Sequence, residues 1–149
     1  MARIRRILHP TDFSRASGAA FVKAVDTAKT NRAELLLVHV LAPVMPMVGG
    51  DAYVSPQVYQ EIEASARAEA QKQLDRLVAK AKKAGVRTRT LLREGVTHEQ
   101  ITRTARSGRV DLVVIGTHGR TGLAKFFLGS VAGRVVSTAS CPVLTVRGT

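Results

Sequence analysis

A chain of 149 residues is the size of one compact domain, and with 45% hydrophobic but only 4% aromatic residues its core has to be built from Val, Leu, Ile and Ala, a composition common in parallel sheets covered by helices. Lys and Arg number 23 against 11 Asp and Glu, a formal charge of +12, which attracts anions from phosphate to nucleic acid without choosing among them. Cys141 is the only cysteine, which excludes an intramolecular disulfide and fits a reducing, cytoplasmic location.

In chain order, the opening "MARIRRILHPTDF" is basic but lacks the apolar core of a signal peptide. Residues 4–9 read as a strand that stops at Pro10, and Asp12 or Ser14 is placed to cap the helix that follows to about Asn31. "AELLLVHV", residues 33–40, is a second strand, too uniformly apolar to have a wet face. The longest uncharged stretch, residues 35–50, contains Pro43 and Pro46 and is too short to span a bilayer, so no membrane association is expected. Residues 42–55 form a loop of unusual length. Ser55 and Pro56 then read as N-cap and first helical position. Val58, Ile62, Ala66, Ala70, Leu74, Leu77, Ala81 and Ala84 follow at helical spacing until Gly85.

"VRTRTLL", residues 86–92, alternates arginine and threonine, so one face is wet and an edge position is expected. Thr97 and Gln100 have the spacing of a capping box for a short helix ending near Gly108. Residues 112–115 are a fourth, buried strand, residues 130–139 a last helix, and residues 142–147, from Pro142 to Arg147, a fifth strand. The fold class is therefore α/β: one Rossmann-like domain over residues 1–149, with helices on both faces of a five-stranded parallel sheet. The winding must reverse once, and the order 3-2-1-4-5 leaves the arginine-bearing third strand at an edge. Ligands of such sheets bind beyond the carboxyl ends of the strands at the reversal. That brings together "PTDFS" and the stretch "GTHGRTGLAKFFLGS", residues 116–130.

Glycines let a backbone come close to a ligand, and Gly129 and Ser130 stand where the last helix begins. There the free N–H groups and the positive dipole end suit a phosphate. The Ser130 hydroxyl is placed to cap that helix and to donate to a phosphate oxygen. Neither a Walker A sequence nor a GxGxxG after the first strand is present.

The spacing Gly116, two residues, Gly119, nine residues, Gly129, Ser130, together with "ILHPTDFS", "GRTGL", "GSVA" and "CPVLTVR", resembles the universal stress protein family over essentially the whole chain. The resemblance implies a homodimer joined along the last strand and a pocket for ATP, or ADP or AMP, with Mg2+ or Mn2+ held through the phosphates. It also implies site residues. Pro10, Thr11 and Asp12 would flank the adenosine, and Val40 would meet adenine through its backbone. Gly116, Gly119, Gly129, Ser130 and Val131 would hold ribose and phosphates, with His118 and Arg120 as further phosphate contacts. The function implied is that of a nucleotide-dependent regulatory module in the stress response. Two departures from the family pattern are His9, where an aliphatic residue is usual, and Thr145 in the last strand.

Plainer readings stand beside these. The glycines also suit a flexible loop with a helix cap, Asp12 a cap alone, and Cys141 a packed thiol. His9, His39, His98 and His118 show no metal-ligand spacing, so no metal-ligating residue is assigned. Arg3, Arg5 and Arg6 read as a solvated strand start, since no aromatic stacking set accompanies them. No nucleophile with an identifiable base is evident, so no catalytic residue is assigned. Two rival functions are slow ATP hydrolysis, with His118 or Arg120 assisting, and nucleic-acid binding by the basic surface.

Overall fold

The architecture follows from which residues can be buried on both sides. A computed structural model describes residues 3–43, 54–118 and 128–148. Its elements run β1 (Arg6–Pro10), α1 (Arg15–Asn31), β2 (Glu34–Leu41), α2 (Pro56–Lys83), β3 (Thr88–Glu94), α3 (Thr97–Ser107), β4 (Leu112–Gly116), α4 (Ser130–Thr138) and β5 (Val143–Val146). The strands form one parallel sheet in the order β3-β2-β1-β4-β5, as expected. Ile7, Leu8, Leu35, Leu36, Leu37, Val38, Val113 and Val114 are wholly buried, because helices cover both faces. Side chains alternate between them. Ile7, Leu35, Leu37 and Val114 pack with Phe21 and Val25 of α1 and Leu74 of α2. Leu8, Leu36, Val38, Val113 and Ile115 pack with Ile101 of α3 and Val135 of α4. Each such side chain contributes about 1.5–3 kcal/mol by leaving water.

Local chemistry sets the helix ends. Ser14, not Asp12, caps α1, accepting from the Ser17 N–H; Ser55 caps α2, with Pro56 at its first position. The capping box expected at Thr97 and Gln100 does not form. The N-cap of α3 is Val96, without a side-chain cap bond, and Thr97 is already the first helical residue. Gly95, at φ 133°, turns the chain one residue earlier than a box would require.

A second correction concerns α2. Its apolar stripe is buried at Ala70, Leu74 and Ala81, but Val58 and Ile62 are 42% and 46% exposed. The cause is length. The 28 residues of α2 rise about 42 Å at 1.5 Å each, whereas the 7 residues of β3 span about 23 Å. The first turns of α2 therefore overhang the sheet.

The edge position of β3 is observed. Arg87 and Arg89 lie 3.6 and 3.1 Å from Glu34, exposed pairs worth at most about 1 kcal/mol each. At the opposite edge, β5 pairs with β4 through Val143, Leu144, Thr145 and Val146. Cys141, beside this strand, is half-buried, and burial raises its thiol above the ordinary value, with Asp111 adding to the rise. That fits the packed thiol better than a nucleophile. Among the described residues no helix is long and apolar enough to cross a membrane.

Candidate functional site

β1 has β2 on one side and β4 on the other, so the chain leaves β1 and β4 toward opposite faces and a crevice opens between the two departures. The first departure is held by a run of hydrogen bonds. Thr11 N–H donates to Val38 O at 2.9 Å, and the Thr11 hydroxyl oxygen accepts from Phe13 N–H at 3.1 Å. Asp12 Oδ1 accepts from Ser14 N–H at 2.9 Å, and the Ser17 hydroxyl donates to Ser14 O at 2.8 Å. Phe13 has φ 62°, a left-handed conformation that this wiring imposes on a bulky residue.

The second departure answers why the glycines are there. Thr117, buried, donates its N–H to Val146 O at 2.9 Å and accepts Gly129 N–H on its carbonyl at 2.6 Å. A Cβ on Gly129 would lie 2.6 Å from that oxygen, so glycine is required by close approach. The chain thus leaves the sheet at Thr117 and is clamped back onto it at Gly129, where α4 begins. Gly129 is the N-cap and Ser130 the first helical residue, which corrects the expectation that the Ser130 hydroxyl caps this helix. With no side-chain cap and no acid in the first turn, the first N–H groups of α4 are without the i−4 carbonyls that serve the rest of the helix.

The cleft between the departures has a volume of about 320 Å3, within the range of small-molecule sites. Of the predicted site residues, Pro10, Thr11, Asp12, Val40, Gly116, His118, Gly129, Ser130 and Val131 all line it. Gly119 and Arg120, like residues 44–53 of the long loop, lie outside the described residues. His118 Nδ1 is 2.8 Å from the Thr117 hydroxyl, which ties its ring to the clamp. Apolar walls come from Val38, Val40, Ile101, Ile115, Val131 and Ala132. Glu34 N–H reaches Arg5 O and Thr11 N–H reaches Val38 O, whereas Leu35 N–H reaches Arg87 O and Gly95 N–H reaches Leu41 O. Even-numbered residues of β2 therefore bond toward β1 and odd-numbered ones toward β3. Val40 turns its peptide groups to the side of β1 beyond Pro10, the last residue of that strand. There they offer one donor and one acceptor to a planar base. Among the described residues Asp12 is the only carboxylate in the lining, and no three His, Cys, Asp or Glu gather as a metal site.

The sequence reading missed Ser17, His39, Thr97, Ile101 and Thr117, which also line the cleft. His39 is the informative one. Its Nδ1 lies 2.8 Å from Thr11 O, and its ring meets Phe13 at 4.4 Å between centroids. His39→Leu should keep the ring-side packing but leave Thr11 O without this donor, a loss of about 1 kcal/mol. Amides of Phe13 and Ser14 should then exchange faster, and His39→Asn, whose side-chain N–H2 sits near the position of Nδ1, should restore both. Urea denaturation and amide exchange check this; wild-type exchange in the Leu variant would contradict it.

Known proteins share this fold. Residues 3–147 match the model of the universal stress protein family. A universal stress protein of Methanocaldococcus jannaschii is 38% identical over 143 residues, 96% of this chain and 82% of the relative. The structure of a universal stress protein from Lactobacillus plantarum superposes with a TM-score of 0.83 at 27% identity, covering 99% of this chain and 100% of that one. At 21% identity, the fold also matches a universal stress protein from Archaeoglobus fulgidus in complex with dAMP, with a TM-score of 0.66 over 98% of this chain and 100% of that one. Other fold neighbours below 25% identity carry cAMP and AMP. The family match, the relative and the shared fold agree: the chain belongs to the universal stress protein family.

Proposed function

We propose that this protein binds an adenine nucleotide, ATP in particular, in the switch-point cleft and acts as a nucleotide-dependent regulatory module of the cytoplasmic stress response. The observation that carries the reading is the clamp of Gly129 on Thr117, which aims the uncapped N-terminus of α4 into the same cleft as Asp12 and Val40. Free N–H groups and a positive dipole end are what a phosphate needs. Apolar walls and the Val40 peptide suit adenine, and Asp12 is kept for the adenosine side, since a carboxylate beside phosphates is repelled. Fold neighbours that bind AMP, dAMP and cAMP support the choice of base. Gly119, Arg120 and His118 complete the phosphate contacts in this reading, and Mg2+ or Mn2+ is held by the phosphates. Two chains pair along β5, the free edge beyond β4, in a homodimer. One compact domain spans residues 1–149.

Ser130→Glu separates this reading from a merely structural turn. A carboxylate in the first turn of α4 favours the helix dipole, so stability should be unchanged or higher by about 0.5 kcal/mol. The same charge stands where phosphate would bind, and ATP affinity measured by calorimetry should fall by about 10-fold or more. Undiminished affinity in the folded variant would defeat the proposal.

A further inference from the structure

The positive charge is not spread evenly. At the amino end of the sheet, opposite the cleft, Arg6, Arg32, Lys82, Lys83, Arg87 and Arg109 are all exposed. They stand at the starts of β3, β2, β1 and β4, four adjacent strands, so they extend across about 15 Å. Two acids accompany them, and both are engaged: Glu34 with Arg87 and Arg89, and Asp111 with the N–H groups of Arg5 and Arg6. Asp12, Glu94 and Glu99, by contrast, stand toward the cleft end.

Cations in the last turns of α1, α2 and α3 have an ordinary explanation, since each complements a helix dipole. That benefit extends to Arg32, the C-cap of α1, and to Arg109, just past the C-cap of α3, but a cation in the last turn supplies it without a backbone cost. Both occupy helix-to-strand turns in the left-handed conformation, at φ 54° and φ 49°, where glycine is the unstrained choice. Gly85, at φ 84°, takes that conformation in the turn between α2 and β3. Two turns of the same end thus hold an arginine against the backbone's preference, which points to a use for the side chain outside the fold.

We infer that this end is a docking face for the phosphate backbone of double-helical nucleic acid, read without sequence preference and separate from the nucleotide cleft. Arginine forks match phosphate oxygens, and a duplex presents a charge about every 1.7 Å along its axis. None of the described aromatic residues lies at this end, so stacking on single strands has no platform. Val136, 45% exposed, is the one exposed large apolar side chain near it among the described residues, too little to anchor in lipid.

The test uses the full chain and a short fluorescent DNA duplex, with anisotropy followed as salt is raised. Arg32→Gly with Arg109→Gly should weaken binding by about 10-fold or more and reduce the slope of log affinity against log salt by about two. The melting temperature should hold or rise, because glycine relieves the two turns. Lys23→Ala with Lys72→Ala removes the same charge from helix faces and should have a much smaller effect. Saturating ATP should leave duplex binding unchanged, so the result is readable whether or not the cleft takes a nucleotide. No duplex binding at low salt would overturn the inference. So would equal losses in both double variants, or binding to anionic phosphatidylserine vesicles in preference to the duplex.

Discussion

Gly129→Ala should weaken adenine nucleotide binding by about 100-fold or more. The added Cβ would meet the Thr117 carbonyl oxygen at 2.6 Å, and neither a backbone oxygen nor a Cβ can rotate away, so the first turn of α4 has to move. A shift of about 1 Å takes N–H groups out of hydrogen-bond range of a phosphate. Two charge-assisted bonds at about 1.5–3 kcal/mol each account for the loss. The same strain should lower stability by about 1–3 kcal/mol. Gly133→Ala, four residues on in the same helix, is the control, since among the described residues a Cβ there meets only the Leu128 side chain, at 3.7 Å. It should raise stability by about 0.5–1 kcal/mol through helix propensity and leave affinity intact. Calorimetry and thermal denaturation of both variants check the pair. Wild-type affinity in Gly129→Ala would mean that the clamp does not serve a ligand.

The second large effect is on stability against pH. His9 is wholly buried in β1, with Nδ1 2.9 Å from Val114 O, its ring 6.0 Å from Phe21, and no partner for Nε2. Burial lowers its pKa from 6.5 to about 4, against smaller upward effects of the Val114 carbonyl and Asp12. The unfolded chain therefore takes up the proton first. Stability from this group is complete above pH 6.5 and is lost as pH falls toward 4, by about 3 kcal/mol in all. His9→Leu should remove that portion of the acid sensitivity. At pH 7 two effects oppose, since it removes a buried nitrogen without a partner but also takes from Val114 O its donor in His9 Nδ1, so the net change should stay within about 1 kcal/mol. Urea midpoints of both proteins across that pH window decide it, since the other titrating groups are common to both. Parallel curves would show that His9 is protonated inside the fold without cost.

His9 also marks where legibility in the sequence ended. The strands were readable because sheets covered on both faces require unbroken apolar runs such as 35–38, and the two cleft loops because strand order alone places the reversal. The position of His9 inside a strand was readable too; its lack of a partner for Nε2 depends on how α1 packs and was not. Periodicity identified α2 as a helix, but a stripe does not say how far the sheet beneath it extends, so the exposure of Val58 and Ile62 needed the structure. Thr97 and Ser130 were each read as caps and proved to be first helical residues. Spacing alone does not distinguish those positions, whereas Gly95 and the Thr117 clamp do. Of the cleft, residues in the two motifs were found. His39 and Ile101 were missed because their role depends on which elements meet there.

The most direct test is a titration followed by amide resonances of the isotope-labelled protein, with AMP and then ATP added. Binding as proposed should shift Thr11, Asp12, Val40, Gly116 and Ser130 at micromolar nucleotide while leaving Arg32, Arg87 and Arg109 in place. Shifts confined to the amino end of the sheet, or none at millimolar nucleotide, would contradict the assignment of the cleft.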